Sequence, residues 1–184
     1  MKNYSENTDE IMVSIFCLCY NHEKYLVKCL EGFVNQKTQF KFEVLVHDDA
    51  STDNSAKIIR EFELKYPSII KPIYQLDNQY SKGVSIGLKW QMSRAKGRYI
   101  AFCDGDDYWC DHNKLQKQFN IMEGNNNCHL CLHRVELIKE SGEKLNRCCP
   151  KKKFKRTTWS TDEFFEIYLG DREHFQTSSY FIRR

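Results

Sequence analysis

Residues 98–109, in the middle of the chain, most constrain what this sequence can fold into. Residues 98–103 are mostly β-branched, aromatic or apolar and follow the turn residue Gly97, which predicts a buried strand. Carboxylates close to one another repel unless a cation or hydrogen-bond donors compensate them. The simplest compensation is a Mg²⁺ or Mn²⁺ ion that also binds phosphate oxygens, and the alternative is a polar loop that caps the next helix. The three carboxylates that follow this strand are Asp104, Asp106 and Asp107.

The size and composition of the chain predict one soluble domain with a substantial core. The chain has 184 residues, of which 41% are hydrophobic and 29% are charged. A net charge of +3 gives no reason to expect nucleic acid as a partner. We expect neither a transmembrane helix nor a signal peptide, because apolar runs are short and residues 1–10 are polar. The nine cysteines are therefore expected to be reduced thiols of a cytoplasmic protein.

Strand and helix patterns alternate along the first 109 residues. Apolar residues with strand or helix periodicity define each element, and Ser51 or Thr52 is the expected N-cap of the second helix. The order βαβαβαβ predicts an α/β fold with a mainly parallel sheet, helices on both faces and right-handed crossovers. The predicted strands lie at about 11–19, 42–46, 69–76 and 98–103, and the predicted helices at about 26–36, 53–66 and 84–95.

Polar residues follow three of these strands at the point where each strand ends. Ligands of parallel sheets bind outside the carboxyl ends of the strands, so these residues are expected to lie at one edge. This convergence is the main indication, from the residues alone, of a binding site. The residues are Tyr20 and Asn21 after the first strand, Asp48 and Asp49 after the second, and Asp104 and Asp106 after the fourth.

After Trp109 the pattern changes. Helical spacing predicts a helix from Leu115 to about Gly124, and alternation predicts a strand at 128–138 with an antiparallel return at 144–149. The remaining features are a basic loop at 151–156, a capping box at 160–163 that begins a short helix, and a strand at 175–183. No linker is evident, so residues 1–184 are treated as one domain with a sub-boundary near residue 110.

Taken together, these residues resemble the family 2 glycosyltransferases of the GT-A fold, a Rossmann-like αβα sandwich. The resemblance covers nearly the whole chain in the right order, so the joint signal is strong although each motif alone is weak. It implies a nucleotide-sugar-binding half at about 11–109 and an incomplete acceptor-side half at about 110–184. The matching segments are residues 13–23, 46–53, 95–100, 104–109 and 176–183.

The resemblance implies transfer of a sugar, with inversion, from a UDP-sugar to a saccharide or lipid-linked acceptor in surface polysaccharide or glycolipid synthesis. It also implies roles for individual residues, each carried over by position. The backbone at Tyr20 and Asn21 and the side chain of Glu23 would border the uridine. Asp49 would bond the base with Asp48 beside it, and Asp104 would face the ribose. Asp106, and with it Asp104, would bind Mn²⁺ or Mg²⁺ at the diphosphate. Asp107, Tyr108 and Trp109 would lie toward the sugar and the acceptor.

One departure from the family concerns the general base that deprotonates the acceptor hydroxyl. In the family this carboxylate follows the segment that matches residues 176–183, whereas this chain stops at Arg184. We therefore expect a truncated chain that binds the donor and transfers poorly, with Asp107 as the catalytic candidate within it. The pair Gly170-Asp171 precedes the matching strand and is interpreted as a helix end.

Several alternatives compete with this interpretation. Cys128, Cys131 and His133, with Cys148-Cys149 downstream, suggest zinc, but strand alternation places Cys128 and Cys131 on opposite faces. The basic loop 151–156 is either solvated or in contact with a phosphorylated acceptor or with anionic lipid, and lipid contact would place the protein peripherally at the inner face of a membrane. A nucleotidyltransferase is disfavoured because no Gly-rich, basic loop follows the first strand, and a catalytically silent binding domain stays open. His22, His47 and His129 are expected to be ordinary polar or core residues.

Overall fold

The computed structural model describes residues 10–155, 158–170 and 174–184, and the fold is α/β with a mainly parallel central sheet. The strands are β1 (Ile11–Cys19), β2 (Lys41–Asp48), β3 (Ile73–Tyr74), β4 (Tyr99–Phe102), β5 (Leu130–Cys131), β6 (Val135–Ile138), β7 (Lys144–Cys149) and β8 (Phe181–Arg183). The α-helices are α1 (Glu23–Val34), α2 (Ser55–Lys65), α3 (Lys114–Glu123) and α4 (Thr161–Phe165). Wider, π-helical turns occur at Gly87–Met92 and Glu166–Gly170, and tighter 3₁₀ turns at Tyr80–Lys82 and Thr177–Ser179.

The six-stranded sheet has the order β3-β2-β1-β4-β8-β5, and β6 and β7 form a separate antiparallel hairpin. Strands β1 to β4 pair in parallel, whereas β8 is antiparallel to both β4 and β5. The carboxyl ends of β1, β2 and β4 therefore lie at one edge, as predicted from the chain order.

The core forms where the strands meet α1 and α3. Strand β1 is buried on both faces, which explains its nearly continuous apolar sequence. Helix α1 buries the predicted stripe, and Phe33 of that stripe meets the ring of Trp109 edge-on at 4.9 Å between centroids. Among the described residues, no helix is both long and apolar enough to cross a lipid bilayer.

Several element boundaries differ from the prediction because side chains from distant segments compete for backbone groups. Helix α2 begins at Ser55, not after Ser51 or Thr52, because Asn21 and Glu23 accept hydrogen bonds from the amides of Thr52 and Asn54. The predicted strand at 69–76 is reduced to Ile73–Tyr74 plus an isolated bridge between Ile70 and Val44. Pro72, which has no N–H to donate, interrupts the strand between these pairings.

The predicted helix at 84–95 is a π-helical turn at Gly87–Met92. Its Gln91 is buried and donates to the backbone oxygens of Cys17 and Leu45, which anchors this turn on β1 and β2. The predicted strand at 128–138 is divided between β5, which pairs with β8, and β6, which pairs with β7. The predicted strand at 175–183 is a 3₁₀ turn followed by β8. The carbonyl groups of Ser178 and Ser179 bond side chains of other segments instead of a strand.

Two positions, 97 and 105, favour glycine because a Cβ there would contact neighbouring atoms. Neither residue has a left-handed backbone. A Cβ on Gly97 would lie 2.4 Å from the backbone nitrogen of Ser14, so the chain before β4 approaches β1 as only glycine permits. A Cβ on Gly105 would lie 2.8 Å from Nδ1 of His22. The chain also turns sharply at Gly105, where the Asp107 amide bonds the Asp104 carbonyl at 3.0 Å.

Candidate functional site

The loop after β1 is fixed by hydrogen bonds to the loop before α2. Asn21 has a φ of 58°, in the left-handed region that asparagine tolerates better than most residues. Its backbone N–H donates to the Ser51 hydroxyl at 3.0 Å, and its side-chain oxygen accepts from the Thr52 amide at 2.8 Å. These bonds hold the ends of β1 and β2 together.

Two carboxylates, those of Glu23 and Asp53, form further hydrogen bonds between the segment after β1 and the segment before α2. The Glu23 carboxylate accepts from the backbone N–H of Asn54 at 2.9 Å and from the Asn54 side chain at 2.7 Å. Asp53 accepts from the backbone N–H of Glu23 at 3.0 Å and from that of Ser55 at 2.8 Å. Burial alone would raise the pKa of Asp53, but bonds from Ser55 and from nearby amides lower it below its ordinary value. The Glu23 carboxylate, predicted to border a uridine, is thus bonded to Asn54.

Asp49 organises a third loop over the same edge. It is buried, and its two carboxylate oxygens accept from the backbone N–H groups of Gln79 at 2.7 Å and Tyr80 at 3.0 Å. Asp48 is buried as well, and among the described residues its Oδ1 has no hydrogen-bond partner. Burial raises the pKa of Asp48, an effect that bonds from Ser51 partly offset.

The acidic segment after β4 is only partly compensated by its surroundings. Burial, and then the charges of Asp106 and Asp107, raise the pKa of Asp104. Burial also raises the pKa of Asp107, although a hydrogen bond from the Ser178 side chain acts in the opposite direction. The segment turns so that the Asp107 amide bonds the Asp104 carbonyl at 3.0 Å. A nearby cation would relieve the mutual repulsion of these carboxylates.

The three strand ends meet around a cavity of about 280 Å³. The structure thereby brings together four of the predicted residues, whereas Asn21, Glu23 and Asp48 do not line the cavity. His22, expected to be an ordinary residue, also faces the cavity, and among the described residues its buried Nδ1 has no hydrogen-bond partner. The predicted residues that line the cavity are Tyr20, Asp49, Asp104 and Asp106.

The donor set at this edge fits a metal ion that is held jointly with a phosphate ligand. In the part of the chain that the structure describes, no group of three or more His, Cys, Asp or Glu residues could hold a metal ion. This finding gives no support to the zinc alternative at Cys128, Cys131 and His133. Two carboxylates, Asp104 and Asp106, suffice for Mg²⁺ or Mn²⁺ where substrate phosphates complete the coordination.

A second, larger groove of about 750 Å³ begins at the same acidic segment. It runs between α3 and the β6–β7 hairpin, and Asp106, Asp107, Tyr108 and Trp109 line its start. The hairpin is tethered at its tip, where Lys24 contacts Glu140 at 3.0 Å. Asp106 is the residue of the acidic segment that lines both the cavity and the groove.

The two aromatic residues predicted on the acceptor side differ in environment. Tyr108 is partly exposed and lies under the ammonium of Lys28, whose Nζ is 3.9 Å from the ring centroid. Trp109 is 5% exposed, belongs to the core, and donates from Nε1 to the Ser178 carbonyl at 3.0 Å. Trp109 therefore forms part of the base of the groove.

The turn Thr177–Ser179 also reaches the site, and sequence reasoning did not assign it a role there. The Thr177 hydroxyl lies 3.5 Å from Asp104 Oδ2, the Ser178 side chain bonds Asp107, and the Ser179 carbonyl accepts from Gln118 at 2.9 Å. The turn therefore holds the acidic segment from the side of the groove. The interpretation of Gly170-Asp171 as a helix end stays a prediction, because Asp171 lies outside the described residues.

A Rossmann-like sheet whose acidic strand ends surround a cavity is the arrangement in which open α/β proteins bind their ligands. The sequence profile of Glycosyl transferase family 2 matches residues 14–181. The chain belongs to the family 2 glycosyltransferases.

Individual relatives agree with this assignment. An uncharacterized protein of Mycobacterium tuberculosis is 37% identical over 172 residues, which cover 94% of this chain and 47% of that protein. The UDP-Glc:alpha-D-GlcNAc-diphosphoundecaprenol beta-1,3-glucosyltransferase WfgD of Escherichia coli is 37% identical over 118 residues, which cover 64% of this chain and 44% of that protein. The chain thus spans about half the length of the curated relatives it matches.

The solved structure of S. aureus TarS 1-349 in complex with UDP-GlcNAc has the same fold. It superposes with a TM-score of 0.71 at 23% sequence identity, over 94% of this chain and 45% of that one. The GT-A architecture predicted from the sequence is confirmed.

Proposed function

We propose that this chain binds a UDP-sugar in the 280 Å³ cavity and presents its sugar to an acceptor in the adjoining groove, for transfer with inversion. The observation that carries the proposal is the position of Asp106, which lines both spaces. A transferase needs its donor and acceptor sites to meet at the bond that breaks. The diphosphoundecaprenol-linked substrate in the name of the E. coli relative supports a saccharide or lipid-linked acceptor.

The residues at the cavity have distinct roles in this proposal. Tyr20 and Asp49, with the loop that Asp49 holds, border the nucleoside, and Asn21, Glu23 and Asp48 keep those loops in place. Asp104 faces the ribose, and Asp106 with Asp104 would hold Mn²⁺ or Mg²⁺ at the diphosphate. When bound, this ion supplies charge neutralisation of the leaving nucleoside diphosphate.

The acceptor side must also remove a proton from the attacking hydroxyl. Within the described residues that line the groove, Asp111 is in an ion pair with Lys117 and Glu136 is in one with Lys144. Asp107 is bonded to the Ser178 side chain, and its raised pKa favours proton uptake. We therefore assign Asp107 as the acid–base candidate of this chain, next to Tyr108 and Trp109.

Thermal unfolding with and without nucleotide tests the donor site. A ligand present at about one hundred times its dissociation constant stabilises the native state by about 2.7 kcal/mol. We expect UDP with Mn²⁺ to raise the melting temperature, UDP alone to raise it less, and Asp106→Asn to remove the effect of the metal. The matched control is Glu61→Gln, which removes one carboxylate charge from the exposed face of α2.

The outcomes separate the parts of the proposal. An equal response of Asp106→Asn and Glu61→Gln would refute the metal site, and a response to GDP but not UDP would refute the uridine donor. If UDP binds but no UDP is released from a UDP-sugar with added acceptors, the chain is a catalytically silent binding domain.

A further inference from the structure

The groove contains a buried lysine that the proposed transfer reaction does not use. Lys114 begins α3, is 5% exposed and lines the groove. Its Nζ donates to Gln118 Oε1 at 2.8 Å and lies 3.8 Å from the centroid of the Trp109 ring. Within the described part of the chain, no carboxylate forms an ion pair with Lys114. A lysine this deeply buried normally has a counter-ion.

A second basic side chain of the groove is also incompletely satisfied. Nδ1 of His133 lies 3.0 Å from the Arg134 carbonyl, a contact that places the ring proton on Nδ1. The other nitrogen, Nε2, is buried and has no hydrogen-bond partner among the described residues. Burial, and then the charge of Lys114, lower the pKa of His133, so the two groups are electrostatically coupled.

The groups that face Lys114 stabilise its ammonium only through the Trp109 ring and Gln118, and none of them is a carboxylate. Besides Gln118, they are the thiol of Cys103 at the end of β4, the thiol of Cys131 in β5, the His133 imidazole and the Trp109 ring. Burial raises the pKa of both thiols, which keeps them neutral near pH 7. Burial lowers the pKa of Lys114 to about 7. Its ammonium form lacks a counter-ion among the described residues, and an anion from outside the chain would supply one.

We propose that Lys114 and His133 form an oxyanion subsite of the groove, which binds a phosphate or carboxylate group carried by the acceptor. The inference rests on the proposed function, because it takes the groove as the acceptor site. An oxyanion in the groove accepts from the Lys114 ammonium and from a protonated Nε2 of His133. It thereby supplies the charge that the fold does not. Asp107 at the start of the same groove remains available for the sugar part of the acceptor.

The subsite has a thermodynamic signature that simple charge attraction lacks. At pH 8 the Lys114 amine is largely neutral, because this pH lies above its pKa. A bound oxyanion favours the charged form, so binding takes up about one proton per ligand at Lys114, and up to a second one where His133 is protonated at Nε2. An ordinary surface lysine is already charged at pH 8 and takes up none.

Isothermal titration calorimetry at pH 8 without metal, in two buffers that differ in protonation enthalpy, measures this proton uptake. The probes are inorganic phosphate and glucuronate, which distinguish a phosphate from a carboxylate group. We expect Lys114→Met to weaken binding by at least about tenfold, or 1.4 kcal/mol, and to lower the proton uptake by about one proton per ligand. His133→Gln is expected to weaken binding less. The control Lys57→Met removes a charge from an exposed position on α2 and is expected to change neither quantity.

Each outcome decides the proposal. Proton-linked binding of either probe that is lost in Lys114→Met supports the subsite and identifies the group it takes. Binding that persists in Lys114→Met, or occurs without proton uptake in the unmodified chain, overturns it, as does the absence of binding. The unmodified chain gives the proton count even if a variant folds poorly. Failure here with an intact response to UDP and Mn²⁺ refutes the subsite and leaves the donor site in place.

Discussion

At the scale of single residues, Gly97 links the strand before the acidic segment to the centre of the sheet. Its N–H donates to the Ser14 hydroxyl at 2.9 Å, and that hydroxyl donates to the buried carboxylate of Glu43 at 2.7 Å. A Cβ at this position would lie 2.4 Å from the Ser14 nitrogen and 2.8 Å from the Tyr99 carbonyl oxygen. Both are backbone atoms of central strands, which cannot move without disturbing the sheet.

We predict that Gly97→Ala lowers the free energy of unfolding by about 3 kcal/mol, at the upper end of overpacking effects in cores. The matched control is Gly87→Ala, because a Cβ on Gly87 meets nothing within 4 Å and the residue is helical. This control is expected to raise stability by about 0.5 kcal/mol, since alanine loses less backbone entropy on folding. Urea denaturation of both variants gives the comparison, and equal effects would refute the close-contact explanation.

At the scale of elements, the sequence predicted those parts that depend on local pattern and chain order. The strands of the sheet, α1 and the shared edge of Tyr20, Asp49 and Asp104 follow from periodicity and from the geometry of parallel sheets. The parts that it missed depend on contacts between distant segments. Helix α2 begins late because of Asn21 and Glu23, and no local pattern in residues 51–55 reports those partners. Likewise, nothing in residues 177–179 alone indicates a contact with Asp104.

Gln118 is the side chain that fixes the turn Thr177–Ser179 to α3. It is buried, and its Nε2 donates to the carbonyl oxygens of Ser179 at 2.9 Å and Cys131 at 3.2 Å. Its Oε1 accepts from Lys114. Leucine at this position would leave three buried polar groups without these partners, and each such group costs about 1–3 kcal/mol.

We predict that Gln118→Leu lowers the free energy of unfolding by about 3 kcal/mol. The same change at Gln116, whose bonds to Gln39 and Asn120 are exposed, is expected to cost less than about 1 kcal/mol. Both variants are compared by urea denaturation. Hydrogen exchange at the amides of Ser179 and Tyr180 should also increase in Gln118→Leu only. A similar loss in both variants would contradict the role assigned to Gln118.

At the scale of the whole molecule, the same buried lysine makes the stability of the fold depend on pH. The ordinary pKa of lysine is 10.5, and burial lowers that of Lys114 to about 7 in the folded state. Between these values the unfolded chain binds a proton that the folded chain does not. Stability attributable to Lys114 therefore falls as the pH falls through this window, by up to about 1.4 kcal/mol per pH unit, and is constant below it.

Lys114→Met removes this dependence while it keeps most of the apolar stem, so the variant should be more stable than the unmodified chain near neutral pH. We predict that this advantage is about 2 kcal/mol larger at pH 7 than at pH 9, which is close to the full linkage effect between these two values. The lost bond to Gln118 acts at both pH values and cancels in this comparison. Urea denaturation at the two pH values measures the difference, with Lys57→Met as the control that should show none.

A pH-independent difference would mean that Lys114 carries the same charge in the folded and unfolded chains. Its amine would then be solvated, and the buried cation that an oxyanion in the groove would compensate would not exist.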